Sequence, residues 1–481
     1  MAFIDLFICG LYLLFVIFLG FFSKNHIHSI VDYLVAGRKV TPYLGVASLG
    51  GTELGLITVM YNAQKGFSTG LSALHMPIIA GIVTLIIGLT GFIVVPLRRL
   101  KVLTIPEFYE FKFDKSTRVF GAIILVFAGI LNMGLFLKVA AVFVAIIFGL
   151  SPTGSPLIII MALLLVLVLF YTLMGGMVSV VVTDFVQFIL LSVSLGLFAI
   201  ILFQGIGWDQ LISVWESKHN MAGFNPFNTT SGFGFSYVLW MIVTAGLVSI
   251  AIWPTALSRA LIMPSDNAVK KQYLLASVPM MARFVLPIMI GAMAVVVLGD
   301  VDALTAFPAV ALRVLPVGLL GVLVAGLLAA MMSTFDGYLL CWSGVIVRDI
   351  IMPVSKSTWS DAKQLKWIRF FIVISAGFMF YWGLFYNGSD DVWDYLAITG
   401  AIYFTGAIPL MIGGLYWKLA SPTGAKASLF AGLTALFGLE PVRNFFNIPF
   451  DASIIGLTSV FIATVCFVAA SVLFPKKRVL K

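Results

Sequence analysis

Apolar runs, each close to the length that crosses a bilayer, follow one another along the whole chain with short polar turns between them. A helical span needs about 20 apolar residues, and the pattern predicts about thirteen. They lie at 3–22, 42–62, 72–98, 118–149, 156–174, 177–205, 235–262, 274–299, 317–345, 367–387, 392–417, 424–440 and 453–474. No polar stretch is long enough for a separate soluble domain. One span interrupts its own pattern: from Leu44 to Met60 it reads LGVASLGGTELGLITVM, with Gly-Gly-Thr-Glu at its centre. In hydrocarbon every backbone N–H and C=O needs an internal partner, so two readings follow. In the first, the helix breaks at Gly50–Gly51, and freed carbonyls with the Glu53 carboxylate form a solute and cation site. In the second, the helix is intact, its glycines allow close packing, and Glu53 pairs with a neighbour.

Composition turns this pattern into a class. Hydrophobic residues make up 61% of the 481 and charged residues 10%, against roughly 25% charged in soluble chains; this is an all-α integral membrane protein. The net charge of +9 would suit an acidic partner, but its placement says otherwise. With the N-terminus outside, about 23 of the 29 Lys and Arg fall on the cytoplasmic side, which sets an N-out, C-in topology. Clusters at Arg98–Arg99–Lys101, Lys112–Lys115–Arg118, Lys270–Lys271, 348–369 and 476–478 carry that signal. The basic charge is thus an orientation signal, and no nucleic-acid partner is expected. The first span has no basic n-region, carries Asp5 and lacks a small-residue cleavage site, so it reads as a span and not a signal peptide. Cys9, Cys341 and Cys466 sit in separate spans, and His26 and His28 on a cytoplasmic loop are too little for a metal centre. No acid, base or metal cluster for an enzyme is visible.

Polar residues inside spans are the remaining candidates. Lys138, in the span that also holds Asn132, costs about 2.5–3.5 kcal/mol at a span centre, so it faces the bundle interior as a functional or a structurally paired cation. Arg283 also lies within a span. Gly175–Gly176 predicts a tight turn, with Asp184 two helical turns into the next span; Asp184 either serves an ion or bonds the turn. Trp253–Pro254 marks a second helix break, since proline frees a carbonyl; Trp253 itself is a packing residue or a ligand. Ala330, Ser333, Thr334 and Gly337 are spaced i, i+3, i+4, i+7 and share one helix face. Its hydroxyls suit a hard cation, unless they bond only their own i−4 carbonyls. Asp336 beside them needs a partner, a proton or a cation. Tyr403 occupies a late span, and Thr104–Pro106 opens a short interfacial helix capped by Thr104.

The second to sixth and seventh to eleventh spans form two groups of five with opposite orientation. Each opens with an interrupted span, the mark of an inverted-repeat transporter. The chain is one transporter domain: repeats at 42–205 and 235–417, an extra helix at 3–22 and two peripheral helices at 424–474.

Four stretches then carry a resemblance: DYLVAGR at 32–38, TIPEFYEFKF at 104–113, YTLMGGMVSVVVTD at 171–184, and MSTFDGYLL at 332–340 with RDI at 348–350. In this order and spacing the chain resembles the sodium:solute symporter family, which includes the sodium/proline, sodium/glucose and sodium/sialic acid symporters. The resemblance implies a LeuT-like fold, and sodium held by carbonyls of Gly51, Leu54 and Ala330 with the hydroxyls of Ser333 and Thr334. It links Asp184 to sodium passage, and Asp336 to an acidic position found in some relatives. Gly337 departs from the usual serine and removes a hydroxyl from any second sodium site. Substrate candidates are Glu53, Asn132, Lys138, Trp253 and Tyr403. Glu53 with Lys138 makes either an internal ion pair, the favoured reading, or a receptor for the two ends of a zwitterionic, amino-acid-like solute. The implied activity is sodium-driven uptake of a small polar organic solute into the cell by alternating access, with sodium the only metal and no other cofactor. Proton coupling through Asp184, Asp336 or Glu53 is the alternative. A membrane sensor is disfavoured, because the chain stops soon after Lys476–Lys477–Arg478.

Overall fold

The computed structural model describes residues 1–23, 38, 40–355, 359–386 and 390–475. The basic run at 476–478, His26, His28 and all of 32–38 except Arg38 lie outside the described residues. Among those described, nine helices are long and apolar enough to cross a membrane. Two local differences from the expected spans stand out. Helix breaks shorten some segments, and the expected span at 424–440 is only α-helical over Pro422–Gly432 before tightening to a 3-10 turn.

Helix α1 (Phe3–Ser23) packs on the long helices behind the centre. Its buried Asp5 carboxylate accepts from the backbone N–H groups of Gly318, at 2.7 Å, and Gly321, at 2.9 Å. Asp5 therefore caps a helix more than 300 residues away, where the free N–H groups and helix dipole favour an anion.

The interrupted span is two helices, α2 (Pro42–Glu53) and α3 (Leu56–Thr69). Thr41 and Pro42 start α2 in the way the N-cap and first-turn positions favour. The break falls at Leu54–Gly55, with ψ values of 65° and 169°, three residues beyond the expected Gly50–Gly51. Those glycines stay helical because they are needed for contact. A Cβ on Gly51 would lie 2.7 Å from the Asp184 carbonyl oxygen, and one on Gly50 would lie 2.7 Å from the Phe188 ring. The helix therefore breaks, as the first reading expects, and its glycines pack closely, as the second expects, a few residues apart.

Next come α4 (His75–Thr90), the short α5 (Ile105–Lys112), α6 (Lys115–Met133) and α7 (Phe136–Ile147). Thr104 stands at the N-cap of α5, but its hydroxyl donates to Asp349 at 2.9 Å instead of capping. Arg118 also reaches Asp349, at 2.7 Å, so two of the motif stretches meet at one buried carboxylate. Helix α8 runs unbroken from Gly154 to His219, through the Gly175–Gly176 pair where a tight turn was expected.

The second break is where the sequence puts it. Helix α9 (Phe235–Met241) widens into π-helix over Ile242–Ile252, Trp253 is extended, and α10 (Pro254–Leu261) restarts at the proline. Helices α11 (Asp266–Leu298), α12 (Leu319–Val345), α13 (Asp361–Phe385) and α14 (Val392–Tyr416) complete the bundle. The two broken helices meet, α2 against α10; α8, α11 and α12 pack on α2, and α14 on α3. Gln272 of α11 ties α2 to α10, donating to the carbonyls of Gly45, at 2.9 Å, and Arg259, at 3.1 Å.

Candidate functional site

The α2 break brings the expected ion-binding groups together. Ser333 and Thr334 of α12 are buried against it. Thr334 donates to the Ala330 carbonyl at 2.8 Å and lies 3.4 Å from the Thr52 carbonyl oxygen. A Cβ on Gly55 would collide with the Thr334 hydroxyl, so glycine is required for the approach. Ser333 donates to Asp184, which leaves the serine lone pairs available to a cation. Gly51 packs directly on Asp184, and Leu54 is the residue at the break.

Asp184 is wholly buried on α8 and is the hub of this region. Besides Ser333 it accepts from Ser48 at 2.6 Å and Thr52 at 3.2 Å. Its counter-charge is Arg259 of α10, 3.5 Å away and itself 1% exposed. Arg259 also donates to the Thr52 hydroxyl through Nε, at 3.0 Å, and Nη2, at 2.6 Å. Asp336 is buried one turn along α12, and its Oδ2 has no hydrogen-bond partner. At Gly337 a Cβ would lie 3.5 Å from the Arg259 guanidinium, an ordinary van der Waals contact.

On the other side of the break is a cavity. Its polar lining includes Thr52, Glu53, Thr58, Asn132, Ser249 and Arg283, and its aromatic walls are Tyr61, Phe136, Trp253, Tyr338, Trp393 and Phe404. Glu53 pairs here with Arg283 of α11 at 2.7 Å, and Arg283 also donates to the Glu53 carbonyl at 3.1 Å. The Arg283 Nε is buried with no partner. Asn132 donates to the Leu396 carbonyl at 2.8 Å and to Thr399 at 3.1 Å, and Trp253 donates to the Tyr338 hydroxyl at 3.0 Å.

Lys138 and Tyr403 are not in the cavity lining. Lys138 donates to the Tyr386 carbonyl at 2.9 Å, and Tyr403 bonds the hydroxyl of Tyr109. The expected Glu53–Lys138 ion pair is thus corrected to Glu53–Arg283. Phe136, four residues after Asn132, keeps the cavity face, whereas Lys138, two residues further on, falls on another side of the helix.

At one end of the cavity Tyr61 meets Trp393 with ring centroids 5.0 Å apart. One turn further along α3, the buried Lys65 bridges Asp391 at 2.8 Å and Asp394 at 2.7 Å. Tyr237 of α9 donates to the same Asp394 at 2.7 Å. Three helices are therefore joined over this end of the cavity.

The profile of the sodium:solute symporter family matches residues 33–432, most of the chain. The chain belongs to that family. A sodium/proline symporter of Staphylococcus aureus is 24% identical over 454 residues, covering 88% of this chain and 83% of that protein. Among solved structures, a sodium-coupled sialic acid symporter in a substrate-bound outward-open state matches with a TM-score of 0.84 at 18% identity, covering 99% of both chains. Mhp1, a nucleobase-cation-symport-1 family transporter in a closed conformation, matches at 0.58 and 12% identity, covering 92% and 94% of the two chains. These likenesses establish the all-helical LeuT-like fold of a multi-pass membrane symporter. Spacing along the chain assigns no role to Arg259 or Arg283. An arginine near a span end reads as an orientation charge, and Arg283 has no sequence-local partner.

Proposed function

We propose that this symporter couples sodium influx to uptake of a small zwitterionic, amino-acid-like solute held between Glu53 and Arg283. The ion pair facing the cavity carries the reading. A buried charge pair bordering open space can exchange partners with a solute of matching charges: carboxylate to Arg283, ammonium to Glu53. Such charge-assisted bonds are roughly twice as strong as neutral ones. The buried, unpartnered Arg283 Nε is one more donor for an incoming carboxylate. Asn132 and the aromatic walls would orient the remainder of the solute.

Sodium would bind where the α2 break meets α12, through the carbonyls of Gly51, Leu54 and Ala330 and the hydroxyls of Ser333 and Thr334. Thr52 and Thr334 border both this region and the cavity, so occupancy of one would organise the other. On the charge-based orientation, Lys65 lies outside, and opening to that side requires α3 to part from Asp391 and Asp394. Each charge crossing the membrane gains about 2.3 kcal/mol per 100 mV, enough for roughly a 50-fold solute gradient before sodium's own gradient is added.

Uptake of labelled amino acids into proteoliposomes, with sodium or potassium outside, tests this. Sodium-dependent, potential-driven uptake competed by zwitterions but not by their amides or amines is expected; uptake indifferent to sodium and potential would refute it. The partnerless Oδ2 of Asp336 supports a second reading, proton coupling, which predicts uptake driven by a pH gradient without sodium.

A further inference from the structure

The sodium reading explains Ser333 and Thr334 but leaves Arg259 without a role. Arg259 is a permanent cation placed among the groups that would receive a mobile one. Its guanidinium is 3.5 Å from the Asp184 carboxylate and bonds the Thr52 hydroxyl twice. Thr52 lies between Gly51 and Glu53, and its own carbonyl is 3.4 Å from Thr334. Ser333 shares Asp184 with the arginine. One carboxylate and one threonine thus separate the fixed positive charge from both hydroxyls assigned to sodium.

Two cations this close repel, and in a buried site the repulsion is little screened. Both also draw on the same carboxylate. A buried carboxylate left with no cation is costly, so Asp184 needs a counter-charge whenever sodium is absent. Arg259 sits on α10, immediately after the second helix break, whereas Asp184 belongs to α8. We propose that Arg259 is a tethered cation that competes with sodium for Asp184. It lowers sodium affinity enough for release and neutralises Asp184 in the sodium-free carrier. This rests on the sodium reading above and adds the residue that sets how readily the ion leaves.

Equilibrium binding of radiolabelled sodium to the purified full-length protein tests it. Arg259→Gln removes the competitor, and sodium is expected to bind about ten-fold more tightly, as loss of one near charge contact implies. Mere structural damage would weaken binding, so the direction separates the two roles. In Asp184→Asn/Arg259→Gln the contested carboxylate is also gone, and the tightening should disappear. Arg259→Lys decides the case if Arg259→Gln does not fold: its compact ammonium cannot span Asp184 and Thr52 together, and an intermediate gain of affinity is expected. Wild-type sodium binding that is unchanged or weakened in the folded single variants overturns this inference alone. Tightening that survives in the double variant also overturns it. Sodium binding in none of the proteins overturns it together with sodium coupling.

Discussion

Two buried arginine–carboxylate pairs flank the first helix break, and their surroundings differ. Glu53 and Arg283 border the cavity, with side chains 11% and 3% exposed, and the arginine keeps an unused donor. Asp184 and Arg259 are enclosed, at 0% and 1%, and three hydroxyls converge on the carboxylate. Adjacent residues anchor the two arginines: Thr52 takes Arg259 and Glu53 takes Arg283. A pair beside open space can trade its partners for those of a solute. A pair packed on every side can admit only something as small as an ion. On the proposed function, one helix break serves two substrates.

Breaking the cavity pair should have the largest effect on solute. Arg283→Gln and Glu53→Gln should each lower solute affinity by about 100-fold or more, the loss expected for a charge-assisted contact, as measured by binding to purified protein. Sodium binding should survive both, because Asp184, Ser333 and Thr334 are untouched. Loss of sodium binding in Arg283→Gln would merge the two regions into one and break the comparison. Gly55→Ala is next. It pushes a methyl group onto the Thr334 hydroxyl, and should weaken sodium binding by about ten-fold in the same assay, at a typical overpacking cost of 1–3 kcal/mol. Asn132→Ala removes a neutral amide from the cavity wall and should weaken solute binding by about five-fold. Smallest are Lys138→Gln and Tyr403→Phe, whose solute affinities should stay within about two-fold of wild type, since neither side chain lines the cavity.

The two helix breaks, the hydroxyl face of α12 and the buried Asp184 were legible because each is a local departure from an apolar pattern. The inverted-repeat transporter followed from the order of such departures along the chain, and the LeuT-like fold from the resemblance that the four motif stretches carry. What was not legible depends on contacts that no spacing encodes. Glycine permits both unwinding and close approach, so Gly50–Gly51 drew the expected break away from Leu54–Gly55. Lys138, six residues after Asn132, stands about 120° round the helix from it and binds the Tyr386 carbonyl instead of Glu53. In α14, Trp393, Leu396, Ala397, Gly400 and Phe404 line the cavity at helical spacing; Tyr403, three residues after Gly400, shares that spacing but bonds Tyr109. Glu53 finds Arg283 from 230 positions away, a choice made by how α11 packs on the broken helix.

Thermal unfolding of the purified protein across a sodium titration, with potassium as control, tests the central claim most directly. An ion bound only by the folded state adds RT ln(1 + [L]/Kd), about 2.7 kcal/mol at a hundred-fold excess over Kd. The account predicts a midpoint that climbs with sodium and not with potassium in the wild type. In Ser333→Ala/Thr334→Ala it should stay flat. A shift that is equal in both salts, or that survives the double substitution, would contradict a sodium site between the α2 break and α12.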